Sequence, residues 1–135
     1  MRLSLIVLVV ASFHGCAPAT HGSSPTPAAA PVPPRADPIV TDPDNYKMIL
    51  ENDRVRVLRY HDIPGTKTHL HHHPESMLYA LSTFKRRLTF GDGRSQEREL
   101  REGDVLWLPA QDHLGENIGT TPTEALLVEI KATPR

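Results

Sequence analysis

Pro64-Gly65-Thr66-Lys67-Thr68-His69-Leu70-His71-His72-His73-Pro74-Glu75 is the stretch on which the reading of this chain turns. Four of the eight histidines fall between His69 and His73. On an extended strand alternate side chains share a face. His69, His71 and His73 are therefore expected to point one way and His72 the other, so at least two imidazoles can converge on one ion at the metal–nitrogen bond length of about 2 Å.

Outward from this stretch the sequence reads as a succession of short strands. Arg54-Val55-Arg56-Val57 alternates polar and apolar before Leu58-Arg59-Tyr60, and Ser76 to Leu81 is a compact apolar run. Arg87-Leu88-Thr89-Phe90 leads into Gly91-Asp92-Gly93-Arg94, where Asp-Gly predicts a type I′ hairpin with a return through Glu97 to Leu100. Val105 to Leu108 and Ala125 to Ile130 complete the set, separated by the polar turns Arg101-Glu102-Gly103-Asp104 and Asn117 to Pro122. Strands recurring roughly every 8 to 12 residues with turn chemistry between them predict an all-β antiparallel sandwich or barrel. No segment has the period of a long amphipathic helix.

Two sets of residues at fixed spacing carry a family resemblance. Gly65 is followed after five residues by His71 and then His73, and Gly103 is followed after five by Pro109, with His113 and Asn117 in an H-x3-N pattern beyond it. With these motifs on either side of a hairpin, Asn45 to Lys131 resembles a small single-domain cupin. Leu50 to Val57 and Glu116 to Gly119 are similar to small cupins connected with β-alanine degradation. The resemblance implies a jelly-roll barrel holding one divalent metal ion (Fe, Zn, Mn or Ni) on two histidines of the first motif, a glutamate beyond them and the histidine of the second.

Carried over residue by residue, His71, His73 and His113 match those metal ligands. The glutamate spacing lands on Met77 or Leu78, and Glu75 is the nearby carboxylate that can substitute. Without it the site resembles a facial tris-histidine arrangement, with no compensating ligand charge. The second motif also departs, since Gln111 stands where glycine is common and His113 lies four rather than five residues after Pro109. His69 and His72 read as accessory, Asn117 as a turn residue, and Tyr79, Trp107 and Phe90 as barrel core or dimer packing.

Ahead of the strands the composition changes. Residues 17–44 are rich in Pro, Ala, Ser and Thr and hold eight of the thirteen prolines, which predicts an extended, solvated tether without helix. Before it, Arg2 precedes the apolar run Leu3 to Phe13, too short to span a bilayer but suited to an export signal. Residues 1–16 resemble a bacterial lipoprotein signal cut before Cys16, although Phe13 and His14 occupy positions where that signal usually has an aliphatic and a small residue. Ordinary secretion with cleavage after Ala19 and an uncleaved cytoplasmic start are the alternatives. The expectation is a protein of the bacterial cell envelope or periplasm, touching the membrane only through a lipid anchor at Cys16. Residues 45–131 form the domain and 132–135 a short tail.

The bulk numbers remove some classes. A chain of 135 residues, 39% hydrophobic and 23% charged, suits one small domain plus extra sequence. With 15 basic against 16 acidic residues and no basic run, there is no electrostatic footprint for nucleic acid. Cys16 is the only cysteine, so no intrachain disulfide staples the fold. A core this small predicts a homodimer.

No nucleophile with a base appears elsewhere in the sequence, so any catalysis rests on the metal, acting as a Lewis acid on a small carboxylate or carbonyl compound or binding dioxygen. The rival reading is a non-catalytic module that binds or senses a small-molecule ligand. A surface histidine cluster that buffers zinc or copper is a third, but it leaves Gly103, Pro109 and His113 without a role.

Overall fold

The computed structural model describes residues 35–132. The signal segment, Cys16 and the tether up to Pro34 lie outside the described residues. Nine strands follow one helical turn, α1 (Pro38–Thr41): β1 (Tyr46–Glu51), β2 (Val55–Asp62), β3 (His71–His73), β4 (Ser76–Ala80), β5 (Phe84–Phe90), β6 (Ser95–Leu100), β7 (Val105–Leu108), β8 (Gln111–Asn117) and β9 (Thr123–Ile130). They form a five-stranded sheet in the order β1-β2-β9-β4-β7 and a four-stranded sheet in the order β3-β8-β5-β6, with antiparallel pairing throughout. The all-β, jelly-roll expectation holds.

Alternation decides what each strand sends inward. On β9, Thr123, Ala125, Leu127 and Glu129 are buried while their neighbours are half-exposed, and on β8 the inward row is His113, Gly115 and Asn117. The apolar part of the interior is modest: one cluster of Tyr46, Leu58, Tyr60 and Leu127, and another of Ala80, Phe84, Leu100 and Ala125. Full burial of a side chain such as Leu58 contributes about 1.5–3 kcal/mol. Polar groups fill much of the remaining interior, among them Asp62, Arg86, Asn117 and Glu129.

Residues 35–44, the last ten assigned to the tether, are described and pack against the strands. The prolines did not exclude a helix, because Pro38 sits in its first turn, where its missing N–H has no partner to lose. Asp37 caps that turn by accepting from Ile39 N at 3.0 Å. The segment then covers the open edge of β3, with His72 N donating to Ala36 O at 2.8 Å. It also delivers the buried Asp42, whose Oδ1 accepts from both N and Nδ1 of His69 at 3.0 Å.

One further expectation changes, and for Trp107 the barrel-core alternative, though not that of dimer packing, falls away. The β5–β6 connection is not a type I′ turn, which needs positive φ at both central residues. Gly93 N donates to Phe90 O at 2.9 Å, and Gly93 alone takes positive φ, at 85°, so the loop has three residues with the glycine in the left-handed position. Trp107 lies on the outer surface of the five-stranded sheet, 59% exposed, and Val105 and Ile49 on the two edge strands are exposed as well.

Candidate metal centre

The centre is built by register. In the β3–β8 ladder His71 lies directly opposite His113, while His72 opposes Asp112 and His73 opposes Gln111. Cross-strand partners share a face, so one pairing sets two imidazoles side by side, and the pleat brings His73 to the same face while His72 leaves it. The three rings are mutually close, with centroids 4.9 Å apart for His71–His73 and His71–His113 and 5.3 Å for His73–His113. One nitrogen from each lies within 4.8 Å of the others, and all three residues are buried. They are the one such ligand cluster among the described residues.

The other sequence candidates are elsewhere. Glu75 is exposed and accepts from Trp107 Nε1 at 2.9 Å on the outside of the sheet, apart from the three-histidine cluster. Its place follows from alternation: two residues past His73 it would face inward on a continuing strand, but Pro74 breaks β3 there and β4 starts at Ser76. His69 is also outside the cluster, its side chain 79% exposed and held by Asp42. The strand begins only at His71, so the period that grouped His69 with His71 and His73 does not reach it. His72 faces outward, as expected, with Nδ1 2.8 Å from Asp112 Oδ1. Asn117 holds the turn that follows it, its Oδ1 accepting from Gly119 N at 3.0 Å, and its amide also donates to the buried Asp62.

Two of the three inward histidines, His73 and His71, are oriented from behind, and that support was not read from the sequence. His73 Nδ1 lies 2.6 Å from Glu129 Oε1, and the other oxygen of this buried carboxylate accepts from Arg56 Nε at 2.6 Å. Burial alone would raise the Glu129 pKa, but the hydrogen bonds from His73 and Arg56 outweigh it and hold it below the usual value, so Glu129 is a carboxylate at neutral pH. Nδ1 of His73 therefore carries its proton, which leaves the lone pair on Nε2.

His71 Nδ1 donates to the His69 carbonyl at 2.8 Å, so its Nε2 is also the lone-pair nitrogen, facing the Tyr46 hydroxyl at 3.2 Å. Burial pushes the Tyr46 pKa well above its ordinary value, which keeps that hydroxyl a donor. Alternation along Thr123 to Ile130 was the signal that could have found Glu129, because an acidic residue falls in the same row as Ala125 and Leu127.

The residues fit a metal ion. His73 Nε2 and His113 Nδ1 are buried nitrogens with no hydrogen-bond partner. Burial first, then the neighbouring imidazole of His73, lowers the pKa of His71 to about 4 and that of His113 to about 2. Both are thus neutral at physiological pH, the state in which imidazole binds a metal.

The same shifts set a pH dependence for the metal-free domain. Histidine in the unfolded chain titrates near 6.5, so below that pH the unfolded state takes up protons that the folded His71 and His113 refuse. Stability is full above about pH 6.5 and falls as the pH drops toward the folded values. Between pH 7 and pH 5 the loss should be about 2 kcal/mol per histidine, about 4 kcal/mol for the pair. Asp42 and Asp62, whose pKa values are held low despite burial by hydrogen bonds and, for Asp62, by Arg86, add a further loss in stronger acid. Chemical denaturation of chelator-treated protein at the two pH values checks this, and equal midpoints would contradict it.

The histidines open into a cavity of about 60 Å³, lined by His73, His113, Tyr46, Tyr60 and Arg86 and by an apolar wall that includes Leu78, Leu106 and Leu108.

No protein-family profile matches the chain, and no curated protein matches it. Solved structures do. A cupin domain from Bordetella pertussis is 26% identical over 64% of this chain and 92% of its own, with a TM-score of 0.59. An uncharacterized conserved protein with a double-stranded β-helix domain from Klebsiella pneumoniae is 24% identical over 63% of this chain and 74% of its own, with a TM-score of 0.51. An RmlC-like cupin family protein from Methanocaldococcus jannaschii is 16% identical over 63% and 77%, with a TM-score of 0.52. The fold is the cupin double-stranded β-helix.

Proposed function

We propose that this domain holds one divalent metal ion on His71, His73 and His113 and presents it to a small organic carbonyl or carboxylate compound inside the barrel. The observation that carries the reading is the pair of buried nitrogens without partners, His73 Nε2 and His113 Nδ1, within a cluster of three imidazoles. A polar nitrogen removed from water and left unpaired is costly, and a bond to a metal offsets that cost. Three neutral nitrogen donors without a carboxylate suit zinc, iron(II) or nickel and leave coordination positions open.

An ion bound there supplies Lewis-acid polarisation of a ligand oxygen. The chain supplies the rest. Glu129 fixes the tautomer and direction of His73, the His69 carbonyl does the same for His71, and the Tyr46 hydroxyl stands beside His71 as a neutral donor. The leucine wall keeps the cavity largely apolar, which strengthens each of these contacts.

Metal analysis of the untagged protein tests the reading. After loading and exhaustive dialysis, close to one equivalent of zinc, iron, manganese or nickel per chain is expected, removed by a chelator and restored on reloading. Absence of retained metal under every loading condition would overturn it and leave a barrel that binds an organic ligand alone.

A further inference from the structure

The metal reading leaves one large apolar surface without a role, the outer face of the five-stranded sheet. Register assembles it. Leu50 on β1 pairs with Val57 on β2, Val57 with Val128 on β9, Val128 with Met77 on β4, and Met77 with Trp107 on β7. Cross-strand partners share a face, so these five side chains form one apolar row from edge to edge of the sheet. On one side of it Leu126, Tyr79 and Val105 make a second row, and on the other Val55 pairs with Ile130.

A sheet with one wet face sends polar residues outward. This one does not. β9 carries Leu126, Val128 and Ile130 outward as well as Ala125 and Leu127 inward, the composition of a strand covered on both sides. The ends of the rows are nevertheless open, with Trp107 59%, Val105 56% and Leu50 49% exposed. The one polar atom of the Trp107 side chain, Nε1, already donates to Glu75 at 2.9 Å within the chain. The rows can therefore leave water without stranding a polar group.

Size and charge say what covers the face. Five strands about 4.8 Å apart, with three outward positions each about 7 Å apart, give a footprint of about 24 by 20 Å. Two such faces together bury about 1,000 Å², the size at which a specific interface begins. Besides His61, the charged side chains on the face are Lys47, Arg59, Glu124 and, just before β4, Glu75: two cations against two carboxylates. Arg59 and Glu124 already pair at 3.1 Å. An anionic lipid surface selects an uncompensated basic face, and a highly charged partner selects the opposite sign. A balanced face meets its own copy without repulsion. Residues 1–34, for their part, join the domain at the other sheet, where Arg35 and Ala36 bond to His72 of β3.

We propose that a second copy of this chain covers this face, giving a two-fold symmetric dimer in which the row from Leu50 to Trp107 packs on the same row of its partner. The interface is sheet on sheet, and it adds the apolar burial that the two small core clusters of each barrel lack. It stands independently of any metal in the barrel.

Trp107 is the only tryptophan of the chain, so its fluorescence reports from this face alone. Sedimentation equilibrium and tryptophan emission are measured on the full chain over one dilution series. The mass of two chains is expected, with blue-shifted emission that moves to the red at the same dilution at which the mass halves. Leu50→Lys stands four strands from Trp107, about 19 Å across the sheet. It can redden that emission only by removing the partner. Leu50→Lys and Val105→Lys should each weaken the dimer by about 100-fold or more, because a two-fold interface meets every substitution twice and must then bury an unpaired charge. Val40→Lys, at a 75% exposed position on α1, should leave it unchanged. Circular dichroism checks that each variant keeps its strands.

The mass of a single chain at every concentration would overturn the proposal, as would emission that stays red in the associated state. Association that withstands either Leu50→Lys or Val105→Lys would place the contact on another surface and overturn it too. A single chain with blue emission at every dilution would assign the face to residues 1–34 instead. A single chain whose emission shifts only when anionic phospholipid vesicles are added would assign it to a membrane.

Discussion

His113→Ala is expected to abolish stoichiometric metal binding, with affinity falling by more than about 100-fold, since loss of a direct ligand exceeds the 10–100-fold typical of losing a ligand's supporting partner. The reason is geometric. His71 and His113 are one cross-strand pair, and removing either halves the contact that brings β3 and β8 to the ion. His71→Ala and His73→Ala should behave alike. His69→Ala, His72→Ala and Glu75→Gln should leave metal stoichiometry unchanged, because these side chains bond to Asp42, Asp112 and Trp107 outside the cluster. Metal content by mass spectrometry and a competition titration with a chromophoric chelator measure both effects. Metal kept by His113→Ala but lost in His69→Ala and His72→Ala would move the site to the surface and end the barrel-centred reading.

The contrast between His71 and Glu75 shows what sequence reading can and cannot do here. His71 and His73 were legible because two local rules agree on them: the period of a strand, and a fixed count from Gly65, which does turn the chain there with φ of 84°. His113 was legible by the second motif despite its shortened spacing, since the register of β8 against β3 corrects for a lost residue in the turn. Glu75 lies apart from them because its assignment depended on a loop length, and Pro74 ends the strand before alternation can turn that carboxylate inward. His69, read as accessory, lies outside the cluster for a related reason at the other end, where the strand has not yet begun.

The residues that support the histidines were less visible because their roles come from non-local packing. Arg56 and Glu129 are 73 positions apart in the chain and meet only through the β2–β9 ladder, where they are direct register partners. Asp42 was assigned to a tether on proline content, yet composition cannot report that Ala36 and Asp42 have a strand edge to bond to. Arg86 carried no reading in the sequence, because it stands between the basic Lys85 and Arg87, and alternation along β5 turns it inward beside Gly115. A strand sequence gives a face for each residue but not the partner that makes a buried charge tolerable.

That dependence makes Glu129 the second large prediction. Glu129→Gln preserves volume but removes the charge that Arg56 and His73 share, and its one amide oxygen can take the place of only one of the two carboxylate oxygens that accept from Arg56 Nε and His73 Nδ1. One of the two donors must then face the amide NH2. Breaking one side of a buried charge pair costs about 3 kcal/mol or more, here lessened because Arg56 keeps Asp37 as its second partner at 2.6 Å. Metal affinity should fall by about 10–100-fold, as His73 loses the group that fixes its tautomer and direction. The two effects separate in Arg56→Gln, which should lower the denaturation midpoint while leaving metal affinity closer to that of the unaltered protein, because the Glu129–His73 contact survives it. Glu129→Gln protein that binds metal as tightly as the unaltered chain, at a temperature where both are folded, would reduce Glu129 to a structural counter-ion of Arg56.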